Sequence, residues 1–310
     1  MKILITGGAG FIGSHLCDHF IEKGREVICV DNLSLGKKDN ICHLFENPLF
    51  EFREFDAADE NQLSKSMNGI DMVCHLAAHP DIQTGSKDPN IDYYHTFLTT
   101  KTVLESMRKK KIKNIFFAST SAVYGNMPEI LLNEKTGGLY PVSYYGAYKF
   151  ASEALISAYV HMNDMNALIF RLPNVVGPRL THGIIFDFIK KLKRNKNKLS
   201  ILGNGKQKKQ YIHVDDLINS IMMMSEKMNR GINLYNVSTE SFATVTEIAN
   251  LVCQRLELEN VVYEFTGGEV GWKGDVPFFQ YDISKIKSTG WMYNYTSKEA
   301  IWKTLSEMEV

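Results

Sequence analysis

Tyr145 and Lys149 stand four residues apart in the run Ser143-Tyr144-Tyr145-Gly146-Ala147-Tyr148-Lys149, which opens a helical pattern. That spacing places both side chains on one helical face. A tyrosine that takes a proton near neutral pH needs its pKa lowered from about 10, and a neighbouring ammonium favours the phenolate. Upstream, Asn114–Gly125 reads as a buried strand that runs out into the hydroxyls Ser119, Thr120 and Ser121. Thr120 can hydrogen-bond the same substrate oxygen that Tyr145 deprotonates. Thr120, Tyr145 and Lys149 are therefore the candidate catalytic groups. Spacing alone does not carry this, because Tyr281 and Lys285 repeat it. That second pair has no hydroxyl strand upstream and no helical pattern, and it reads as structural, since chemistry requires groups to converge. Tyr93, Tyr94, Tyr124, Tyr140 and Tyr148 read as packing or hydrogen-bonding aromatics.

Such groups need a scaffold, and the N-terminus describes one. The apolar run Ile3-Leu4-Ile5 leads into Gly7, Gly10 and Gly13 and then an amphipathic segment. Glycines at a strand-to-helix turn let the backbone approach a pyrophosphate held at the helix N-terminus. A second apolar run, Val27–Val30, ends in Asp31, whose carboxylate would accept the adenosine ribose hydroxyls and repel a 2′-phosphate. Strand, glycine turn, helix, strand and acid in that order point to a dinucleotide, NAD rather than NADP. The positive nicotinamide ring would add to the lysine in favouring a phenolate. His75, followed by Leu76-Ala77-Ala78, ends another strand and reads as a satisfied histidine beside the cofactor. No partner histidine is suitably placed for His75 to ligate a metal, and the cysteines stand at no metal-ligand spacing.

Apolar runs at 2–6, 27–30, 50–55, 71–76, 114–119 and 167–172 alternate with helical patterns at 12–23, 97–110 and 146–162. This argues for an α/β fold: a doubly wound, mostly parallel Rossmann sheet with a smaller α+β substrate lobe. The expected division gives 1–174 plus about 213–238 to the dinucleotide domain, and about 175–212 plus 239–310 to the substrate lobe. Segments 184–195 and 243–256 look helical, with a capping box from Thr244 to Glu247. Gly203-Asn204-Gly205 and Gly267-Gly268 mark loops, and Met222-Met223-Met224 reads as gap-filling core. Apolar residues make up 44% and charged residues 23%, with a net charge of +0, so the chain has no bias toward nucleic acid or anionic membranes. The basic runs Arg108–Lys111 and Lys190–Lys198 read as solvated helix ends. Five scattered cysteines read as reduced thiols. The N-terminus runs straight into a strand and no apolar stretch is long enough to span a bilayer. The expectation is a cytoplasmic protein.

With these residues in place, the chain resembles the extended short-chain dehydrogenase/reductase family over essentially its whole length. Within it, the likeness is to nucleotide-sugar epimerases, above all the archaeal-type UDP-galactose (UDP-glucose) 4-epimerase group. The shared motifs are Thr6–Gly13, Asp31-Asn32-Leu33-Ser34, His75–Ala78, the Thr120 segment, Tyr145 with Lys149, Arg171–Asn174, Tyr211–Asp216 and Gly271–Val276. The resemblance implies NAD held by Gly7, Gly10, Phe11, Ile12, Gly13, Asp31, Asn32, Ser34, Leu76, Ala77, Ala78, Ser119, Tyr145 and Lys149. Asp56 and Ala57 would lie beside the adenine. It implies a sugar nucleotide met by Thr120, Ser121, Asn174, Lys209, Trp272, Lys273 and Phe279, with no metal. It further implies a homodimer in which the Tyr145–Lys149 helix and the 97–110 helix form a four-helix bundle across a two-fold axis.

Four positions depart from the family pattern. Lys209 stands where an arginine often grips a phosphate, keeping the charge without the bidentate fork. Trp272-Lys273 precedes Gly-Asp-Val where many relatives have arginine, which would pass diphosphate binding to Lys273. Thr96 occupies a helix position that is usually asparagine. Ser121-Ala122 follow Thr120 where dehydratases carry an acid pair and decarboxylases a glutamate, and eliminating water demands a general acid. The expectation is reversible C4 epimerisation of a UDP-hexose through a 4-keto sugar. In it, the Tyr145 phenolate takes the 4-hydroxyl proton, and Phe279 as a bulky gate favours plain hexoses. The alternatives are a UDP-hexuronic acid, UDP-N-acetylhexosamine or GDP-sugar substrate, and, in another class, a noncatalytic NAD-sensing protein, which would have no need of Thr120, Tyr145 and Lys149.

Overall fold

The computed structural model describes residues 1–128, 130–269, 271, 274 and 276–308. Apolar runs of the first half form β1 (Lys2–Thr6), β2 (Glu26–Asp31), β3 (Phe50–Glu54), β4 (Met72–His75), β5 (Asn114–Thr120) and β6 (Asn166–Leu172). With β7 (Gly231–Asn236) they make one seven-stranded sheet in the order β7-β6-β5-β4-β1-β2-β3, and every pairing is parallel. The order reverses between β1 and β4. That switch point is where a doubly wound sheet opens a crevice beyond its carboxyl edges.

Helices cover both faces. The longer ones are α1 (Phe11–Glu22), α2 (Thr99–Lys110), α3 (Tyr144–Asn163), α4 (Ile184–Arg194), α5 (Val214–Glu226), α6 (Val245–Arg255) and α7 (Ser297–Glu307). Leu16, Phe20, Leu217 and Ile221 of α1 and α5 pack with Ile3, Ile5 and Phe116 on one face. Leu104, Met107, Ile156 and Val160 of α2 and α3 pack with Leu4, Ile115 and Phe117 on the other. Alternate residues of each strand thus feed opposite cores. A third core joins α4, α6 and α7 through Phe188, Leu192, Ile248, Val252 and Ile301.

The 97–110 helix is two pieces. A π turn at Tyr93–Leu98 runs into α2, and the short helix Pro89–Asp92 precedes it. Helix α6 starts at the expected Thr244–Glu247 capping box, and a second box, Thr296 with Glu299, starts α7. Met224 is buried, and Met222 and Met223 pack against the first core. Arg108 and Lys109 pair with Glu105 and Glu60 at the surface. Tyr281 is buried, while Lys285 caps the Leu234 carbonyl at 2.7 Å, so that pair is structural. Among the described residues, no helix is long and apolar enough to cross a membrane.

Candidate active site

The loop after β1 is shaped by close approach. Gly7 has φ +71°, and a Cβ there would lie 2.8 Å from the Ala77 nitrogen in the segment that follows β4; a Cβ on Gly13 would sit 2.1 Å from the Gly7 carbonyl. Gly10 caps α1 without a side-chain bond, so the first-turn N–H groups, which include those of Phe11 and Ile12, face the crevice as an anion site. Asp31 ends β2 beneath this loop. Its Oδ2 accepts the Ala9 N–H at 3.0 Å and its Oδ1 the Leu33 N–H at 2.8 Å. Burial pushes this carboxyl up, against the pull of the Leu33, Ala9 and Gly10 N–H groups. Both oxygens keep lone pairs for ribose hydroxyls. Asn32 donates to Asp56 at 3.2 Å and accepts the Ser34 N–H at 3.0 Å, while Ala57 is buried beside them. Bare helix N-terminus, glycine cradle and buried acid fit a dinucleotide.

His75 links the crevice to the π turn through a directional chain. Thr100 Oγ1 donates to the Thr96 carbonyl at 2.6 Å, so it accepts from His75 Nε2 at 2.9 Å. His75 Nδ1 then accepts from Thr6 Oγ1 at 2.7 Å, and Thr6 in turn accepts from the Ala77 N–H at 3.4 Å. The imidazole is fully buried, and burial, helped by the Lys149 charge, lowers its pKa to about 3. The histidine is neutral and satisfied, as expected, and it holds the Leu76–Ala78 segment in register with β1.

Thr120 ends β5, and Tyr145 and Lys149 lie in the first turns of α3. Gly146 makes their meeting possible, because a Cβ there would lie 2.6 Å from the Ala122 carbonyl. Thr120 Oγ1 accepts the Ala122 N–H at 3.2 Å, which leaves its own proton to donate, and its bond to Tyr145 favours the phenolate. Lys149 is buried, donates to the Ala118 carbonyl at 2.8 Å and lies 4.5 Å over the Phe117 ring and 5.9 Å from the Tyr145 ring. Burial lowers its pKa to about 7, against the pull of Glu153. The phenol of Tyr145 is held above its ordinary value by burial and by the Asp92 carboxylate. The expected lowering is therefore not supplied by the chain alone; it requires a positive charge brought into the crevice.

Two groups were not singled out from the sequence. Glu153, one turn beyond Lys149, accepts from Arg171 Nη2 at 2.7 Å and Nε at 3.1 Å, and Ser119 Oγ donates to the same carboxylate. Ser119 thus spends its hydroxyl on Glu153. Asp92 is buried, and among the described residues neither carboxylate oxygen has a hydrogen-bond partner. A carboxyl on a charged, aromatic-rich segment carries no periodicity that would have exposed either.

The expected substrate residues are dispersed over several strands. Ser121 begins the turn Ser121–Tyr124 after Thr120. Asn174 opens the strand Asn174–Val176, in register with Tyr211, and Lys209 lies opposite Ala243. Phe279 is buried, 5.3 Å from the Tyr281 ring, which is 5.8 Å from that of Tyr124. Trp272 and Lys273 lie outside the described residues. Thr96 sits in the π turn.

The family described as NAD dependent epimerase/dehydratase matches residues 3–238. A Methanocaldococcus jannaschii protein, provisionally named a UDP-glucose 4-epimerase, is 32% identical over 314 residues, spanning 99% of this chain and 98% of the relative. UDP-glucuronic acid decarboxylase 1 of Arabidopsis thaliana is 31% identical over 315 residues, 99% of this chain and 69% of its own. Among solved structures, a UDP-galactose 4-epimerase is similar with a TM-score of 0.88 and 35% identity, over 99% of this chain and 98% of that one.

Proposed function

We propose, from the premise that the chain belongs to the NAD-dependent epimerase/dehydratase family, that it interconverts UDP-galactose and UDP-glucose by inverting C4 of the hexose. The observation that carries this reading is the convergence of Thr120, Tyr145 and Lys149 at the carboxyl edge of β5 with no acid after Thr120. Ser121 and Ala122 occupy those positions. A dehydratase or decarboxylase needs a proton donor there; an epimerase does not.

NAD supplies the redox chemistry at C4 when bound. Tyr145 takes the proton of the 4-hydroxyl and later returns it to the same oxygen. Thr120, with its acceptor side occupied by Ala122, donates to that oxygen and fixes its direction. Lys149, whose proton is labile near neutrality, keeps the electrostatics of the site balanced while the proton sits on tyrosine or substrate. Asn174 and Lys209 hold the diphosphate, with Trp272 and Lys273 completing that end, and Phe279 limits the sugar pocket to plain hexoses. On this reading, 1–174 with about 213–238 binds the dinucleotide, and about 175–212 with 239–310 binds the sugar nucleotide. A homodimer forms through α2 and α3. The aromatic cluster of Tyr93, Phe97 and Tyr148, with ring centroids 5.8 to 6.2 Å apart, supports that face.

The test is chromatographic analysis of products from UDP-galactose, UDP-glucuronic acid, UDP-N-acetylglucosamine and a GDP-hexose. UDP-glucose formed from UDP-galactose supports the reading. Turnover of one of the others alone moves the substrate to that sugar, and turnover of none contradicts it.

A further inference from the structure

Tyr145, Lys149 and Glu153 follow one another at four-residue steps in α3, and so share one helical face. Two of them are tied directly to the end of β5. Lys149 Nζ donates to the Ala118 carbonyl at 2.8 Å, and Ser119 Oγ donates to the Glu153 carboxylate. Thr120 is the next residue of that strand. Phe117 and Ser119 stand two apart on β5 and face the same side, and the Lys149 ammonium lies 4.5 Å over the Phe117 ring.

The Glu153 carboxylate also reaches the neighbouring strand. Arg171 of β6 lies opposite Ser119 in the parallel register, and its Nη2 and Nε donate to the carboxylate at 2.7 and 3.1 Å. One side chain of α3 therefore clamps two adjacent strands at the level of the site. Ser119, Lys149, Glu153 and Arg171 are all buried, where hydrogen bonds are strong and a lost one is costly. The two ties differ in stiffness. A lysine holds its ammonium on a flexible stem, whereas a forked arginine–carboxylate pair has a fixed geometry. The register of α3 on β5 is thus set at Glu153. A slip of the helix by one residue would be a shift of ~1.5 Å, enough to break the Ser119 bond and carry Lys149 away from Ala118.

We propose that Glu153 is a positioning residue for the reaction: held by Arg171, it fixes α3 against the end of β5 through the Ser119 hydroxyl, and so sets where Tyr145 and Lys149 stand relative to Thr120. This rests on those three groups doing the chemistry proposed above. Its consequence is that removing one hydroxyl that touches neither proton-transferring group slows turnover.

The experiment is steady-state kinetics of wild type, Ser119→Ala and Ser119→Thr at saturating NAD, with the sugar nucleotide that the wild type turns over. Ser119→Ala removes one hydroxyl and leaves the Glu153–Arg171 pair whole. Misplacing reacting groups by ~1 Å costs up to ~100-fold, so a smaller shift should lower kcat about 10-fold and leave KM within about twofold. Ser119→Thr restores the hydroxyl and should recover most of kcat. A merely structural bond would lower Tm and leave kcat in place well below the melting temperature. An unchanged kcat in Ser119→Ala overturns the inference, as does a rise in KM alone or a loss that Ser119→Thr does not recover. If Ser119→Ala does not fold, Arg171→Lys carries the test, because it keeps the charge and gives up the fork. The same fall in kcat there supports the inference, and an unchanged kcat overturns it. A wild type that turns over no sugar nucleotide would instead refute the proposed function, and the inference with it.

Discussion

Replacing Glu153 by glutamine should destabilise the protein far more than its conservative shape suggests. Glu153 and Arg171 are 7% and 4% exposed, and the guanidinium reaches the carboxylate at 2.7 and 3.1 Å. The guanidinium also lies 4.7 Å over the Tyr124 ring, while its Nη1 has no hydrogen-bond partner among the described residues. Glutamine keeps the volume but strands that buried cation, at a cost of ~3–5 kcal/mol. For 310 residues, an unfolding entropy of ~2.1 cal/mol/K per residue means a fall in Tm of ~5–8 °C. Scanning calorimetry of the wild type and Glu153→Gln at pH 7 measures this. A pairwise apolar replacement, Glu153→Leu with Arg171→Met, should recover most of the loss, since no charge is left uncompensated. A glutamine variant melting within ~1 °C of wild type, or a double variant worse than the single, would refute the reasoning.

Other consequences follow from single atoms. Gly13→Ala would put a Cβ 2.1 Å from the Gly7 carbonyl, so NAD affinity should fall at least ~10-fold in a fluorescence titration; unchanged affinity contradicts the cradle. Lys149→Met should abolish turnover yet stabilise the fold by roughly 2–5 kcal/mol at pH 6. The folded pKa of about 7 lies below the ordinary 10.5, so the burial cost is full below pH 7 and fades as pH rises toward 10.5. Denaturant melts showing no gain at pH 6 would contradict it. His75 is held neutral with a pKa of about 3 against 6.5, so the unfolded chain takes up a proton first as pH falls. Stability should drop by ~1.4 kcal/mol per pH unit on this account as pH falls from 6.5 toward 3, and His75→Gln should remove that component from the urea midpoints.

Much of the fold was legible because its signals are local. The Val27–Val30 run, the Gly7–Gly13 turn and the Thr244 capping box each follow from backbone sterics or burial over a few residues. β7 was missed because Gly231-Ile232-Asn233-Leu234-Tyr235-Asn236 carries polar side chains in a buried strand. Asn233 satisfies itself on the Asn229 carbonyl at 2.8 Å, and Asn236 on Tyr124 and the Leu132 carbonyl, contacts that no short window contains. The candidate site divides in the same way. Tyr145 and Lys149 share a helix and are visible as a pair. Asp92, Glu153 with Arg171, and the His75 chain depend on partners far apart in sequence, so only the folded chain brings them together.

The most direct test of the central claim is proton NMR of UDP-galactose incubated with the purified protein in D2O. If C4 is inverted through a transient ketone, UDP-glucose appears with protium still at C4, because that hydrogen is carried across without exchanging with solvent. Deuterium at C4 of the product would contradict this route, and persistence of UDP-galactose with NAD added would contradict the assignment itself.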